Sequence, residues 1–313
     1  MSEVKLIATR ESYGKELIEL AKEDDRIVVL DADLASATKT GLFKEVFPDR
    51  HIDCGIAESN MMGVAAGLAT TGKIPFVSSF AMFATGRAFE QVRNSIGYPH
   101  LNVKIGGTHA GITVGEDGAS HQCNEDIALM RTIPGMVVMC PADDVEARAC
   151  VRAAAAYEGP VYMRFGRAVT PVVNDPDNFK FEIGKGIVLK EGSDVSVIAT
   201  GICVGAALEA ADKLAADGIN AEVIDICSIK PIDRELIAKT AAKTGKIVTV
   251  EEHSVIGGLG SAVCEVLAEE IPTRVKRIGM QDVFGESGPA ADLVKKYGLD
   301  GDGIYASVKD FLK

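Results

Sequence analysis

The sequence predicts an α/β protein made of two parallel-sheet units, a larger one followed by a smaller. Three observations carry this. The chain has 313 residues, more than one average domain and enough for two full cores. Short β-branched runs alternate with longer stretches of helical period, the pattern of parallel strands joined by crossover helices. Between residues 170 and 185 the alternation stops: TPVVNDPDNFKFEIGK is polar, holds two prolines and carries neither period, which marks a linker.

In the first unit the β-branched runs predict strands over Ile27–Asp31, Ile74–Phe80, Leu101–Ile105, Met136–Cys140 and Val161–Phe165. The helical stretches between them fall near Tyr13–Lys22, Glu58–Thr70, Ala84–Ile96, Asn124–Thr132 and Asp143–Tyr157. Asp143 with Glu146 three residues on has the spacing of a capping box. After the linker, strands are expected at Val195–Thr200, Ala221–Ile226, Ile247–Val250 and Val275–Ile278, with helices near Val204–Asp217, Arg234–Lys243 and Leu259–Glu269. The division is therefore residues 1–170, a linker over 171–190, and 191–313.

Hydrophobic residues make up 47% and charged residues 25%, the profile of an ordinary globular protein. A net charge of −12 offers no basic face, which argues against nucleic acid or an anionic membrane as partner. No signal-length apolar stretch opens the chain and no window approaches a membrane span, so a cytoplasmic location is expected. The seven cysteines include no CxxC pair, and Cys54, Cys140, Cys203, Cys227 and Cys264 lie in apolar runs, so they read as reduced and structural. Cys123 lies among polar residues, but no basic neighbour in sequence marks it as a nucleophile.

Three segments of the first unit stand out. Asp53-Cys54-Gly55-Ile56-Ala57-Glu58 runs into the helix MMGVAAGLA, whose small residues let another backbone approach closely. An acid in a first helical turn is favoured there by the macrodipole whatever its function. Ser78-Ser79-Phe80-Ala81-Met82-Phe83 ends a strand with two aromatics, which serve equally as core or as a flat-walled slot for a heteroaromatic ring. Gly106-Gly107-Thr108-His109-Ala110-Gly111 leads to Gly115-Glu116-Asp117-Gly118-Ala119-Ser120-His121-Gln122, a long glycine-rich loop with two of the five histidines.

The order and spacing of these segments resemble the central and C-terminal domains of transketolase, from about Arg10 to the end of the chain. That family has a G-x-x-E glutamate, then a strand ending in F-x-x-F, a histidine, and G-E-D-G-P-T-H-Q. The resemblance implies a thiamine diphosphate pyrimidine-binding domain followed by a transketolase C-terminal domain. It implies that Glu58 hydrogen-bonds N1′ of the coenzyme's aminopyrimidine, driving the imino tautomer that deprotonates the thiazolium carbon. Phe80 and Phe83 would pack on that ring, with Asp33 also on the cofactor side. Where the family often has a tyrosine three residues further on, this chain has Gly86.

On the substrate side the resemblance implies His109, Asp117 and His121 lining a sugar channel, with His109 and His121 counted with Glu58 as catalytic. Arg10 and Arg167 fall where the family binds substrate phosphate, chemistry that bidentate guanidinium suits. The family's phosphate-binding serine maps onto Ala37, a departure that bears on phosphate specificity: either Ser36 or Thr38 substitutes, or the sugar is dephosphorylated or unusual.

One motif is missing. The family holds the diphosphate and Mg2+ with G-D-G followed about thirty residues later by asparagine, both hard oxygen ligands. Here the only Gly-Asp-Gly is Gly301–Gly303 and no asparagine follows it. The resemblance thus implies no metal ligand in this chain and a partner, an N-terminal transketolase subunit, that supplies G-D-G…N and ligates Mg2+, in an α2β2 assembly. The expected reaction is transfer of a two-carbon ketol unit between sugar phosphates. Rival readings are a 1-deoxyxylulose-5-phosphate synthase-like enzyme, the β subunit of a 2-oxoacid dehydrogenase, and a non-catalytic regulatory homologue; His121-Gln122 and Glu116-Asp117 favour transketolase.

Two further motifs invite a site. Gly258-Leu259-Gly260 partly matches a dinucleotide fingerprint but has Val263 at the third glycine, and reads as a tight strand-to-helix turn. Glu251-Glu252-His253 resembles a metal cluster, but strand neighbours point to opposite faces, so it reads as a polar strand end.

Overall fold

The computed structural model of the chain describes residues 5–313. Fourteen strands are present among them. In chain order the first eight are β1 (Leu6–Ala8), β2 (Ile27–Asp31), β3 (His51–Asp53), β4 (Ile74–Phe80), β5 (Lys104–Thr108), β6 (Val137–Met139), β7 (Val161–Arg164) and β8 (Val169–Pro171). The remainder are β9 (Ile187–Lys190), β10 (Val195–Ala199), β11 (Ala221–Asp225), β12 (Ser228–Lys230), β13 (Lys246–Ser254) and β14 (Arg274–Met280).

The first section is a seven-stranded sheet in the order β12-β6-β7-β5-β4-β2-β3, parallel except at β12. Every residue of β2 and β4 is buried, which is why neither reads as a strict apolar–polar alternation. The second section is a five-stranded sheet, β14-β13-β10-β11-β9, parallel except at edge strand β9. The architecture is therefore the mixed α/β pair of parallel-dominated sheets that the alternation predicts. No described helix is long and apolar enough to cross a membrane.

Several elements depart from the sequence reading. The third strand runs over Lys104–Thr108 rather than Leu101–Ile105 because Gly106 and Gly107, poor strand formers, are required by packing. A Cβ at Gly106 would sit 2.7 Å from the Tyr13 ring, and one at Gly107 2.5 Å from the Tyr162 hydroxyl. Tyr13 is fully buried on the Thr9–Glu23 helix, stacks on Phe165 at 4.7 Å and hydrogen-bonds Ser78 Oγ at 2.7 Å. The helix expected over Ala84–Ile96 winds through two π-helical stretches, Met82–Arg87 and Val92–Gly97. Such turns often accompany function.

The segment read as a linker is partly ordered into the sheets. β8 pairs with β1, β9 joins the second sheet, and Asp143 Oδ2 accepts the Val173 and Asn174 N–H groups, both at 2.8 Å. Asp143 also caps its own helix, Asp144–Ala156, through Glu146 N, but Glu146 returns its carboxylate to Ala142 N rather than to Asp143. β12 comes from the second section and completes the first sheet, so the two sections share a continuous core that includes Val138, Ile226 and Ile229. All seven cysteines are free; Cys123 is buried and its thiol is pushed up by desolvation, whereas Cys54 and Cys264 are half-buried.

Candidate active site

In an open parallel sheet the carboxyl ends of the strands form the crevice where ligands bind. The expected residues emerge there in sequence order. Asp33 follows β2, Glu58 follows β3, Phe80 closes β4 with Phe83 just beyond it, His109 follows β5 and Arg167 follows β7. Arg10 reaches the same edge from the first turn of the Thr9–Glu23 helix.

Glu58 opens the Glu58–Thr70 helix and is 2% exposed. Its Oε2 is buried and has no hydrogen-bond partner among the described residues. The nearest cation is Arg87 Nη1 at 3.6 Å, on a side chain that is 58% exposed. A buried carboxylate oxygen left unpaired costs about 1–3 kcal/mol or more, so a fold keeps one where something else will meet it. On the same helix Gly63 and Gly67 are exposed, and a Cβ at either would meet nothing within 4 Å. That face is open to close approach.

Next to Glu58's helix stands a ladder of rings. Phe80 and Phe83 lie 6.1 Å apart at 12°, and His109 stacks on Phe80 at 3.9 Å and 20°. His121 stands edge-on to Phe83 at 5.3 Å. Inserting a ring between two aromatic faces needs about 7 Å, two contacts of about 3.5 Å each. Phe80 and Phe83 therefore form one apolar wall rather than the two jaws of a slot. At Gly86 a Cβ would lie 2.3 Å from Met82 Cε, so the Met82 thioether fills the space a larger side chain would take.

His109 is 3% exposed and takes a left-handed backbone with φ of +54°. Arg10 Nη1 lies 3.2 Å from its Nε2, and guanidinium can only donate. Nε2 is thus the acceptor, and Nδ1 carries the proton toward Thr108 Oγ1 at 3.0 Å. Desolvation, reinforced by the charges of Arg10, Arg167 and Lys39, holds the imidazole down to about 3, so His109 is neutral across the physiological range. Arg10 also donates to Ala37 O at 2.8 Å, and burial beside Arg167 lowers its own affinity for the proton.

Thr38 cannot replace the absent serine: it is fully buried and donates to Asp31 Oδ2 at 2.8 Å. Ser36 is exposed, as is Asp33, whose N–H donates to Asp53 Oδ1 at 3.1 Å. Arg167 donates to Val114 O and faces Glu116 and Asp117 at 3.6 and 3.9 Å. His121 Nδ1 meets Ser120 Oγ at 2.9 Å. A cleft of about 640 Å³ lined in part by Phe83, Arg87, Ser120 and Gln122 runs from the ring wall toward Phe284 of the second section. Arg87 escaped the sequence reading; its four-residue spacing from Phe83 along a helix was the available signal.

These residues fit the pyrimidine end of thiamine diphosphate: an unpaired buried carboxylate oxygen beside an apolar ring wall. They do not fit its metal. Among the described residues no group of three His, Cys, Asp or Glu side chains could hold an ion. Gly301–Gly303 instead starts the Gly301–Leu312 helix, capped by Asp300, with Asp302 paired to Lys213 at 2.5 Å. The Gly258 turn offers no phosphate site either, because both oxygens of Glu251 accept the N–H groups of Leu259 and Gly260.

Comparison with known proteins agrees with the two-section fold. The family model for the transketolase pyrimidine-binding domain matches residues 5–172, and that for the transketolase C-terminal domain matches 184–304. A Methanocaldococcus jannaschii protein described as a transketolase C-terminal section is 52% identical over 97% of this chain and 96% of its own length. A Clostridium protein described as a 6-deoxy-6-sulfo-D-fructose transketolase subunit is 48% identical over 93% and 90%. A solved structure described as a split-gene transketolase, an inactive β4 tetramer, superposes with a TM-score of 0.91 at 59% identity, covering 98% of both chains.

Proposed function

The chain belongs to the transketolase family, as its pyrimidine-binding and C-terminal sections, and on that premise we propose that it is the subunit of a split transketolase that binds the pyrimidine of thiamine diphosphate. Its reaction is the transfer of a two-carbon ketol unit between sugar phosphates. A second subunit supplies the diphosphate and Mg2+ ligands, in an α2β2 assembly. The observation that carries this reading is the buried Oε2 of Glu58, which has no hydrogen-bond partner among the described residues, beside the Phe80–Phe83 wall.

When bound, the coenzyme supplies the nucleophilic carbon and the sink for electrons released when the ketose carbon bond breaks. The protein's own residues do the rest. Glu58 holds the proton at N1′ of the aminopyrimidine, through a carboxylate that makes no hydrogen bond to the described residues. Phe80 and Phe83 exclude water from one face of that ring, which strengthens the Glu58 hydrogen bond. Because His109 is neutral with its lone pair on Nε2, it accepts a hydrogen bond from a substrate hydroxyl once that hydroxyl replaces Arg10. His121 and Asp117 contact further hydroxyls.

Arg10 and Arg167 bind the anionic tail of the sugar, a local cationic pair in a chain of net charge −12. Without a hydroxyl at Ala37, the tail is recognised by charge more than by a directed hydrogen bond. The Clostridium relative, named for a sulfonated sugar, is consistent with such tolerance in the family.

The test is donor choice by the chain assembled with its diphosphate-binding partner. Xylulose 5-phosphate is turned over with an aldose acceptor, and pyruvate is not. Turnover of pyruvate and not of the ketose would transfer the assignment to a different thiamine enzyme.

A further inference from the structure

The triplet Glu251-Glu252-His253 lies in the middle of the second section and takes no part in the site described above. It stands at the end of β13, as the sequence suggests, but all three side chains are fully or almost fully buried. Glu252 leaves the second sheet from β13 and enters the first section, where its Oε1 accepts the Thr113 N–H at 2.6 Å. The backbone passes directly over this carboxylate. A Cβ at Gly111, whose φ is +76°, would lie 2.3 Å from Glu252 Cδ.

The other end of the same loop is tied to residue 252 by a different route. Arg164 Nη2 donates to Glu252 O at 2.8 Å and to Cys123 O at 3.2 Å, while its Nε pairs with Asp126 Oδ2 at 2.8 Å. Gly111 N in turn donates to Cys123 O at 2.9 Å and closes the loop at its neck. Gln122 Nε2 adds a brace to Glu286 O of the second section at 2.9 Å. The loop so held, residues 109–123, carries His109, Asp117 and His121.

We propose that Glu252 is a positioning residue for the sugar side of the site, and that the C-terminal section serves the reaction by fixing the 109–123 loop. The inference deepens the function proposed above and rests on its placing His109 and His121 against substrate. The buried side chain suits the task by geometry: its oxygen accepts the Thr113 N–H and fixes where the loop backbone runs, and through it the rings at both ends.

Hydrogen exchange on the free chain separates a loop clamp from a general structural role, without coenzyme or partner. In E252A, which leaves Thr113 N unpaired, amides of 109–123 exchange about tenfold faster or more, the scale of one buried hydrogen bond lost, while the Glu58–Thr70 helix keeps its protection. E252Q keeps an acceptor oxygen and restores most of the loop's protection. In the assembled enzyme E252A raises KM for the sugar by about tenfold with kcat changed less, and adds little to the loss in H109A, because both act through one loop. Unchanged exchange in the loop of E252A, or exchange rising across both sections alike, overturns the proposal. H109A turning over normally would instead sink the placement of His109 at the substrate, while the exchange result still decides the clamp.

Discussion

At the start of the Glu58–Thr70 helix a buried carboxylate oxygen has no hydrogen-bond partner among the described residues. At the start of the Leu259–Glu270 helix, both oxygens of a buried carboxylate, Glu251, accept helix N–H groups at 2.7 and 2.8 Å. The two helices follow glycine-containing turns and both gain from a negative charge at their positive ends. The difference lies in satisfaction. Glu251 closes an anion site with the chain's own side chain, whereas Glu58 withholds an acceptor that only a ligand can use. Exposure around the two agrees: the face bearing Gly63 and Gly67 is open, and the Leu259 turn is sealed.

The largest effect expected from this contrast is on turnover. Glu58→Gln in the assembled complex should lower kcat by about 10²–10⁴-fold, the usual worth of a positioned proton-handling group, with no loss of thermal stability since no hydrogen bond is broken. An equal fall in Tm and activity would mean Glu58 is structural. Glu251→Ala should do the opposite. It strands two buried N–H groups and should destabilise the fold by about 2–4 kcal/mol in urea titrations, with turnover per folded molecule retained.

A third expectation separates the site from its surroundings by pH. His109 titrates near 3 in the fold against an ordinary 6.5, so the unfolded chain takes up the proton first. Stability from keeping it neutral is complete above pH 6.5 and drains away as pH falls toward 3. The stability advantage of wild type over His109→Asn should therefore shrink by about 2 kcal/mol between pH 7.5 and pH 5, at about 1.4 kcal/mol per unit. A gap constant with pH would show the imidazole charging freely. The smallest effect belongs to Arg87→Ala: an exposed guanidinium 3.6 Å from Glu58 should alter stability by less than about 1 kcal/mol.

Much of this was legible in the sequence because the relevant physics is local. Ile27–Asp31, Ile74–Phe80 and the Glu58–Thr70 helix stand where their residue pattern placed them. What escaped depends on distant partners. The glycines at 106 and 107 look like loop residues until the Tyr13 and Tyr162 rings are brought against them. Three-residue strands such as Ser228–Lys230 carry too little pattern to reveal that they cross to another sheet. The roles of Glu251 and Glu252 are set by backbone amides 8 to 139 residues away, which no spacing along one strand can show. Thr38 looked free to bind an anion only because Asp31 could not be seen beside it.

The most direct test is a titration of this chain with a G-D-G…N subunit at fixed thiamine diphosphate, Mg2+ and ketose. Two-carbon transfer should be absent from the chain alone, rise to a plateau at one partner per chain, and stay near the baseline throughout when Glu58 is replaced by Gln. Turnover by the isolated chain, or a full plateau with the Gln variant, would contradict the assignment of Glu58 to a coenzyme shared between subunits.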